Sequence, residues 1–439
     1  MRRSDMNKVK VNINMIFPAL LFFRQAVFSL SLYELPAIVS NKSFELKKKR
    51  LTLQSKKIDI DNQAAEYLPD LYFNFNSSLG ADIGKGKFNN GHTMGISSSV
   101  ALFDGGDRIL EHAVEKKEFQ NLEFEYSRTY QEELYKNISL FLQAAKQKNI
   151  CSISAANILP GKMQYEQTLL QKEQGKVSEM EALNVKAEYD EAIYQLTADS
   201  NNFESSLLLL KHNLGANNID INTDDMPISF QPLEYIKLLE LYANSKKNGY
   251  DDLQGYYYTL EIQKLNKIKA VKDRFIPRTE IDLSAGWLDY NYLAEWNKNY
   301  FDLACNIKVS WPLFDKNEFA DQIKKKGIEM EKTLAELEEK KQERINTLQQ
   351  FTANFNNEIR LLAGARTRLV SAELFYRMVT ESRRLDASSL AEYYQAEKKY
   401  RNAQKDCSAL EFEIIRLMAE IGAVFYGDAF ILFKKENKL

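Results

Sequence analysis

The chain has 439 residues, of which 27 % are charged, yet its formal net charge is only -2. That balance excludes the basic footprint of a nucleic-acid binder. With 17 glycines and 8 prolines, turn formers are too scarce for a fold of many short elements, and long stretches rich in Glu, Lys, Gln, Leu and Ala predict extended amphipathic helices.

The first 29 residues read as a signal peptide. Arg2, Arg3, Lys8 and Lys10 form a basic region, Ile13 to Phe23 an apolar run, and Val27-Phe28-Ser29 a cleavage site. No cysteine follows to be acylated, and no later stretch of about 18 apolar residues offers a transmembrane helix. A secreted chain without one either stays outside the membrane or crosses it as a barrel. A helical segment is predicted over 30–68.

Strand pairs follow at 69–104 and 277–315. Phe73, Phe75, Leu79 and Ala81 alternate with Asn74, Asn76, Ser78 and Asp82. Met94, Ile96, Val100 and Leu102 alternate with Thr93, Gly95, Ser97 and Ser99. In the second pair, Ile281, Leu283, Ala285 and Trp287 oppose Glu280, Asp282, Ser284 and Gly286. Phe301, Leu303, Cys305, Ile307, Val309 and Trp311 oppose Asp302, Asn306, Lys308 and Ser310. A period of two gives strands with one apolar and one polar face. About ten residues per strand would span a tilted bilayer crossing, and Tyr72, Phe73, Trp287, Tyr300 and Trp311 suit an interfacial girdle. A soluble sandwich alternates equally well. Four strands alone cannot close a barrel, so either the sheet is soluble or several chains contribute to one ring.

Long helical hairpins are predicted at 105–214 and 316–425, reversing near Gly175 and near Asp386. Leu122, Tyr126, Tyr130, Leu134, Ile138, Phe141 and Ala145 form one stripe. A helix of ~65 residues would reach ~100 Å, a length that needs neighbours throughout, as in a coiled-coil bundle or tube. Pro160 within the first helix predicts a kink or an irregular insertion. An equatorial insertion with a helix occupies 215–276, and 426–439 is a C-terminal tail. The two halves match: Tyr67-Leu68-Pro69, Leu102-Phe103-Asp104 and Ala182 with Ala187-Glu188 recur as Phe275-Ile276-Pro277, Leu313-Phe314-Asp315 and Ala391 with Ala396-Glu397. Each recurs roughly 210 residues later, which predicts a tandem duplication.

No catalytic, cofactor or metal constellation emerges. His92, His112 and His212 lack metal-ligand spacing and read as surface or loop residues. Cys151, Cys305 and Cys407 form no CxxC pair and predict free, buried thiols. Asp104-Gly105-Gly106-Asp107 reads as a strand-to-helix junction in which Asp107 could cap the helix, since no P-loop lysine or serine follows.

The duplicated order of helix, proline, strand, strand ending in Leu-Phe-Asp, long helix, turn and return helix resembles the TolC-like outer-membrane efflux proteins. The match is carried by Tyr67-Leu68-Pro69-Asp70-Leu71, Leu102-Phe103-Asp104-Gly105-Gly106, Gly175-Lys176-Val177-Ser178 and Trp311-Pro312-Leu313-Phe314-Asp315, over about residues 32 to 427. The resemblance implies an α+β, mostly helical chain. Three copies would complete a transmembrane β-barrel, with four strands each, continued by a periplasmic α-helical barrel. It implies a homotrimer in outer-membrane lipid, a periplasmic adaptor protein and an inner-membrane pump, with no cofactor and no enzymatic step. Asn74, Asn76, Asp82, Glu280, Asp282, Asp302, Asn306 and Lys308 would then line the barrel lumen, and Gly175, Ser178, Glu181, Arg384 and Asp386 would form the periplasmic tip and gate. The chain departs from the family where Arg384 replaces a usual glycine and Leu390-Ala391-Glu392-Tyr393 replaces a stretch that often carries aspartates. The alternative reading is a secreted coiled-coil structural or interaction protein without a pore.

Overall fold

The computed structural model describes residues 28–82, 87–216, 219–223, 232, 234–247, 251–289, 301–312, 316–385 and 387–432. The predicted signal segment up to residue 27, Leu313-Phe314-Asp315, Asp386, much of the 215–276 insertion and the end of the tail lie outside the described residues. In chain order the elements are β1 (Phe28–Leu30), α1 (Leu35–Lys42), α2 (Phe44–Asn62), β2 (Asp70–Asp82), β3 (Lys87–Phe103), α3 (Asp107–Glu173), α4 (Glu179–Leu214) and β4 (Ile219–Ile221). There follow α5 (Tyr235–Lys247), α6 (Gln254–Phe275), β5 (Arg278–Asp289), β6 (Phe301–Ser310), α7 (Glu318–Arg384) and α8 (Leu390–Ile421).

The chain divides into two compact units. One comprises Met1–Ile38, Asn137–Pro227 and Leu374–Ser408; the other comprises Val39–Lys136, Ile228–Glu373 and Ala409–Leu439.

The second unit contains an antiparallel sheet ordered β2-β3-β5-β6. Its strands run 13, 17, 12 and 10 residues, so three exceed the length expected from alternation. The centre of the sheet is a close seam. Gly95 faces Gly286, and a Cβ on Gly95 would lie 2.7 Å from the Ala285 carbonyl oxygen. Gly95→Val is therefore expected to force these strands apart at a cost of about 2 kcal/mol, seen as a lowered melting temperature of the folded protein. The ladder slips once, at a bulge between Ala101 and Phe103.

At the base of the sheet, Asp104 rather than Asp107 caps α3. Its carboxylate accepts from the N–H groups of Gly106 (2.7 Å) and Arg108 (3.1 Å), and Gly105 and Gly106 make the turn at φ 73° and 80°. Asp107 instead pairs with Arg278 at 2.5 Å, tying the start of α3 to the start of β5. Gln263 of α6 donates to Thr333 of α7 (2.8 Å), beside a core of Leu253, Leu260 and Leu337.

The first unit is a helix bundle with Ile138, Phe141, Ala144, Ala145 and Leu210 fully buried. Asp199 (α4) is buried, at 5 % exposed. Its carboxylate accepts from Ser154 of α3, from Gln195 (3.0 Å) and from the Lys405 ammonium of α8 (2.9 Å). A small parallel pair, β1 with β4, escaped the sequence reading, and it places the predicted boundary at residue 29 inside a strand. Leu30, Leu32 and Leu35 are buried there. The expected kink or irregular insertion at Pro160 takes no irregular form, because α3 is helical throughout. Gly161 leaves room for Tyr189 and Tyr394, 3.5 and 3.9 Å from where a Cβ would stand, and this packing supports the turn that proline weakens.

Candidate channel-forming sites

Each strand of the four-stranded sheet alternates between its faces, and the register shows which residues share one. Asn74 pairs with Gly95, Asn76 with Thr93 and Asp82 with Lys87. Gly95 continues to Gly286, which pairs with Asp302. Asp282 pairs with Asn306, and Glu280 with Lys308. All eight positions predicted to be polar therefore lie on one face, although the Asp82 side chain is outside the described residues. Asn74 donates to Ser97 (2.7 Å), and Lys308 lies 3.7 Å from Glu280. That pair is solvated and adds little stability, but it offsets one negative charge on a face that also carries Asp70, Asp282 and Asp302.

The opposite face carries Leu71, Phe73, Phe75, Ile96, Leu283, Leu303, Ile307 and Val309. All are exposed; Leu303 is 76 % and Phe73 69 % accessible. Among the described residues of this unit, no helix covers them. Phe75, Met94, Trp287 and Phe301 form one row across the sheet, with Trp287 and Phe301 edge to face at 5.0 Å. Trp311 and Phe275, 55 % and 63 % exposed, flank the other end. Tyr300 of the expected girdle lies outside the described residues, and Tyr72 falls on the polar face, opposite Ser97. Cys305 is exposed, Cys151 half-buried and only Cys407 buried, so the expectation of buried thiols fails for two of the three. The strand parity that explains Leu303 explains Cys305. No described helix is long and apolar enough to cross a membrane.

The hairpin turns belong to the first unit. Between α3 and α4, Gly175 adopts φ 70°. It donates to the Lys172 carbonyl (2.9 Å), while Lys176 donates to that of Gln171 (2.9 Å), a helix stop that glycine favours. Ser178 then caps α4 by accepting from the Glu181 N–H (3.2 Å). Between α7 and α8 the chain turns without glycine. Ala387 donates to the Ser382 carbonyl (2.9 Å), and Arg384 pairs with Glu381 at 2.9 Å. Asp386 lies outside the described residues. Ser389 and Glu392 close a reciprocal capping box (3.2 and 3.0 Å). The Ser-x-x-Glu spacing of Ser389 and Glu392 is the sequence signature of that box. Met180 and Leu385, 81 % and 80 % exposed, are apolar side chains beside the two turns that no sequence motif marks.

No family model matches the sequence, and no curated protein matches it significantly. Solved structures do match. The Campylobacter jejuni CmeC outer membrane channel superposes with a TM-score of 0.72 at 14 % identity, covering 93 % of this chain and 89 % of that one. CusC, described for transmembrane channel formation, gives 0.70 at 13 %, covering 90 % and 91 %. The open state of the Neisseria gonorrhoeae MtrE outer membrane channel gives 0.70 at 12 %, covering 90 % and 88 %. Over nine-tenths of its length, the chain has the fold of these outer-membrane channels, the fold that the TolC-like resemblance implied.

Proposed function

We propose that the protein is the outer-membrane exit duct of a tripartite efflux or type I secretion system, carrying substrates passively from the periplasm or a pump to the exterior. The observation that carries this reading is the uncovered apolar face of the sheet, bordered by aromatic residues at both margins. From Trp311 to the Trp287 row is about ten residues, or ~33 Å of strand at ~3.3 Å each. Tilted by ~40°, that length spans the ~25 Å apolar band of an outer-membrane barrel. The unpaired edges of β2 and β6 cannot face lipid, so closure comes from other copies. Three chains complete a twelve-stranded ring, with Asn74, Asn76, Glu280, Asp282, Asp302, Asn306 and Lys308 towards the water-filled lumen.

The hairpin turns form the periplasmic tip. Gly175, Ser178, Glu181 and Arg384 surround the entrance, which opens through small shifts of helix pairs. A periplasmic adaptor docks there, with the exposed Met180 and Leu385 as apolar anchors, and an inner-membrane pump supplies the energy. The protein performs no covalent chemistry. A secreted, non-pore coiled-coil protein would leave several bilayer-facing side chains in water, which soluble proteins avoid.

The test is extraction followed by single-channel recording. The full-length protein is expected to fractionate with the outer membrane, to require detergent and to give discrete conductance steps in a planar bilayer. Solubility without detergent and no current would reject the duct.

A further inference from the structure

The layer between α3 and α8 in the first unit contains buried polar groups without partners, which folded proteins rarely leave. Glu397 of α8 is 2 % exposed, and neither of its carboxyl oxygens has a hydrogen-bond partner. The Arg401 guanidinium, one turn on, stands 3.6 Å away, beyond hydrogen-bonding reach. The Arg401 Nε is also without a partner, as are the Asn157 Oδ1 and both polar side-chain atoms of Gln164 on α3.

Two contacts set the level of this layer. Asn149 donates to Ser408 (2.6 Å), and Gly161 lies against Tyr394. The helices therefore run antiparallel, and Glu397 lies near the Asn157–Pro160 turn. The titratable groups around it are Arg401, Tyr393 and Tyr394 on its own helix, Tyr376 of α7, hydrogen-bonded to Tyr393 (3.1 Å), and Glu188 and Glu191 of α4, whose charges act on Tyr394. Burial pushes the Tyr393 and Tyr394 phenols upward, away from neutrality. Burial also pushes the Glu397 carboxyl up, and Arg401 only partly opposes it.

We propose that Glu397 is a proton-binding latch of the helical hairpins. Neutral, it lets α8 pack on α3 close to the turns; ionised, it loosens that layer. The sign follows from linkage. A carboxyl raised on folding gives a packed state that is fully favoured at pH below the ordinary glutamate range and loses that advantage as pH rises through the folded value. The consequence for passage rests on the duct reading, whereas the titration belongs to the helices alone.

Hydrogen–deuterium exchange of the full-length protein in detergent tests it, between about pH 5 and about pH 8 and corrected for intrinsic exchange. In the wild type, peptides covering residues 390–405 are expected to open roughly tenfold more often at the higher pH, with α6 peptides unchanged. Glu397→Gln is expected to hold the acid-side value throughout. A flat wild-type profile, a variant that follows the wild type, or an equal change in α6 would overturn the latch. So would a Gln variant that fails to fold, because the neutral side chain is the one that packs. A silent bilayer recording beside the expected exchange pattern would remove the duct and leave the latch standing.

Discussion

Leu303→Arg is expected to strip the protein from the outer-membrane fraction, while Asn306→Arg, three residues along the same strand, leaves it there. Both positions lie in β6 and are exposed in the single chain, so surface location alone would make both substitutions nearly neutral, within about 0.5 kcal/mol. The faces differ. Leu303 shares its side of the sheet with Phe73, Ile96 and Ala285, whereas Asn306 stands opposite Asp282 on the polar side. A guanidinium on a lipid-facing strand costs about 2–4 kcal/mol at the bilayer midplane and about 0–1 kcal/mol near the interfaces. At Leu303, two residues inside the Phe301 row, the cost per copy lies between these, and in a symmetric assembly every copy bears it. The same group in a water-filled lumen keeps its hydration and changes only selectivity. Fractionation and heat-modifiable mobility on gels report the difference. Equal behaviour of the two variants would mean that the sheet has no lipid side.

Lys405→Met carries the second large effect, expected to destabilise the first unit by about 3 kcal/mol. The substitution retains most of the side-chain volume but leaves the Asp199 carboxylate, 5 % exposed, without its cation. Removing one partner of a buried pair is far costlier than replacing both. Ser154 and Gln195 continue to donate to Asp199 and limit the loss. The pH dependence is specific. Although burial works against it, the hydrogen bonds from Ser154 and Lys405 and the Lys405 charge hold Asp199 below the usual carboxylate range. A depressed carboxylate stabilises the fold above its unfolded value and loses that contribution as pH falls through its folded one. The wild type should therefore weaken below about pH 4, and Lys405→Met should show a shallower acid limb. Thermal melts across that range measure both, and parallel acid limbs would deny Asp199 its role.

The strand faces were legible because alternation survives any tertiary context: Phe73-Asn74-Phe75-Asn76 fixes its own parity. Local sequence likewise placed the first helix reversal near Gly175. The additional length of β3 was not legible, since Asn89 to His92 carry no apolar alternation and pair only because Ser77 to Gly80 lie opposite. Nor was the β1–β4 pair, whose six residues meet from distant parts of the chain. The Ala101–Phe103 bulge depends on the partner strand. Glu397 stood in view as half of a repeated Ala-Glu landmark, yet only the packing of α8 on other helices makes it buried and distinct from the partly exposed Glu188.

The join between β3 and β5 has a kinetic consequence. The ladders β2–β3 and β5–β6 each link neighbouring segments and can zip locally, but Ile96 meets Ala285 across roughly 190 positions of intervening chain. The entropy of bringing such distant segments together is lost before any contact there is gained. Two half-sheets, each with an exposed greasy flank, should thus persist during biogenesis until this pairing forms, and that interval is when a holdase chaperone is most needed. Substitutions at Gly95 or Gly286 should accordingly slow maturation more than they shorten the lifetime of the finished protein.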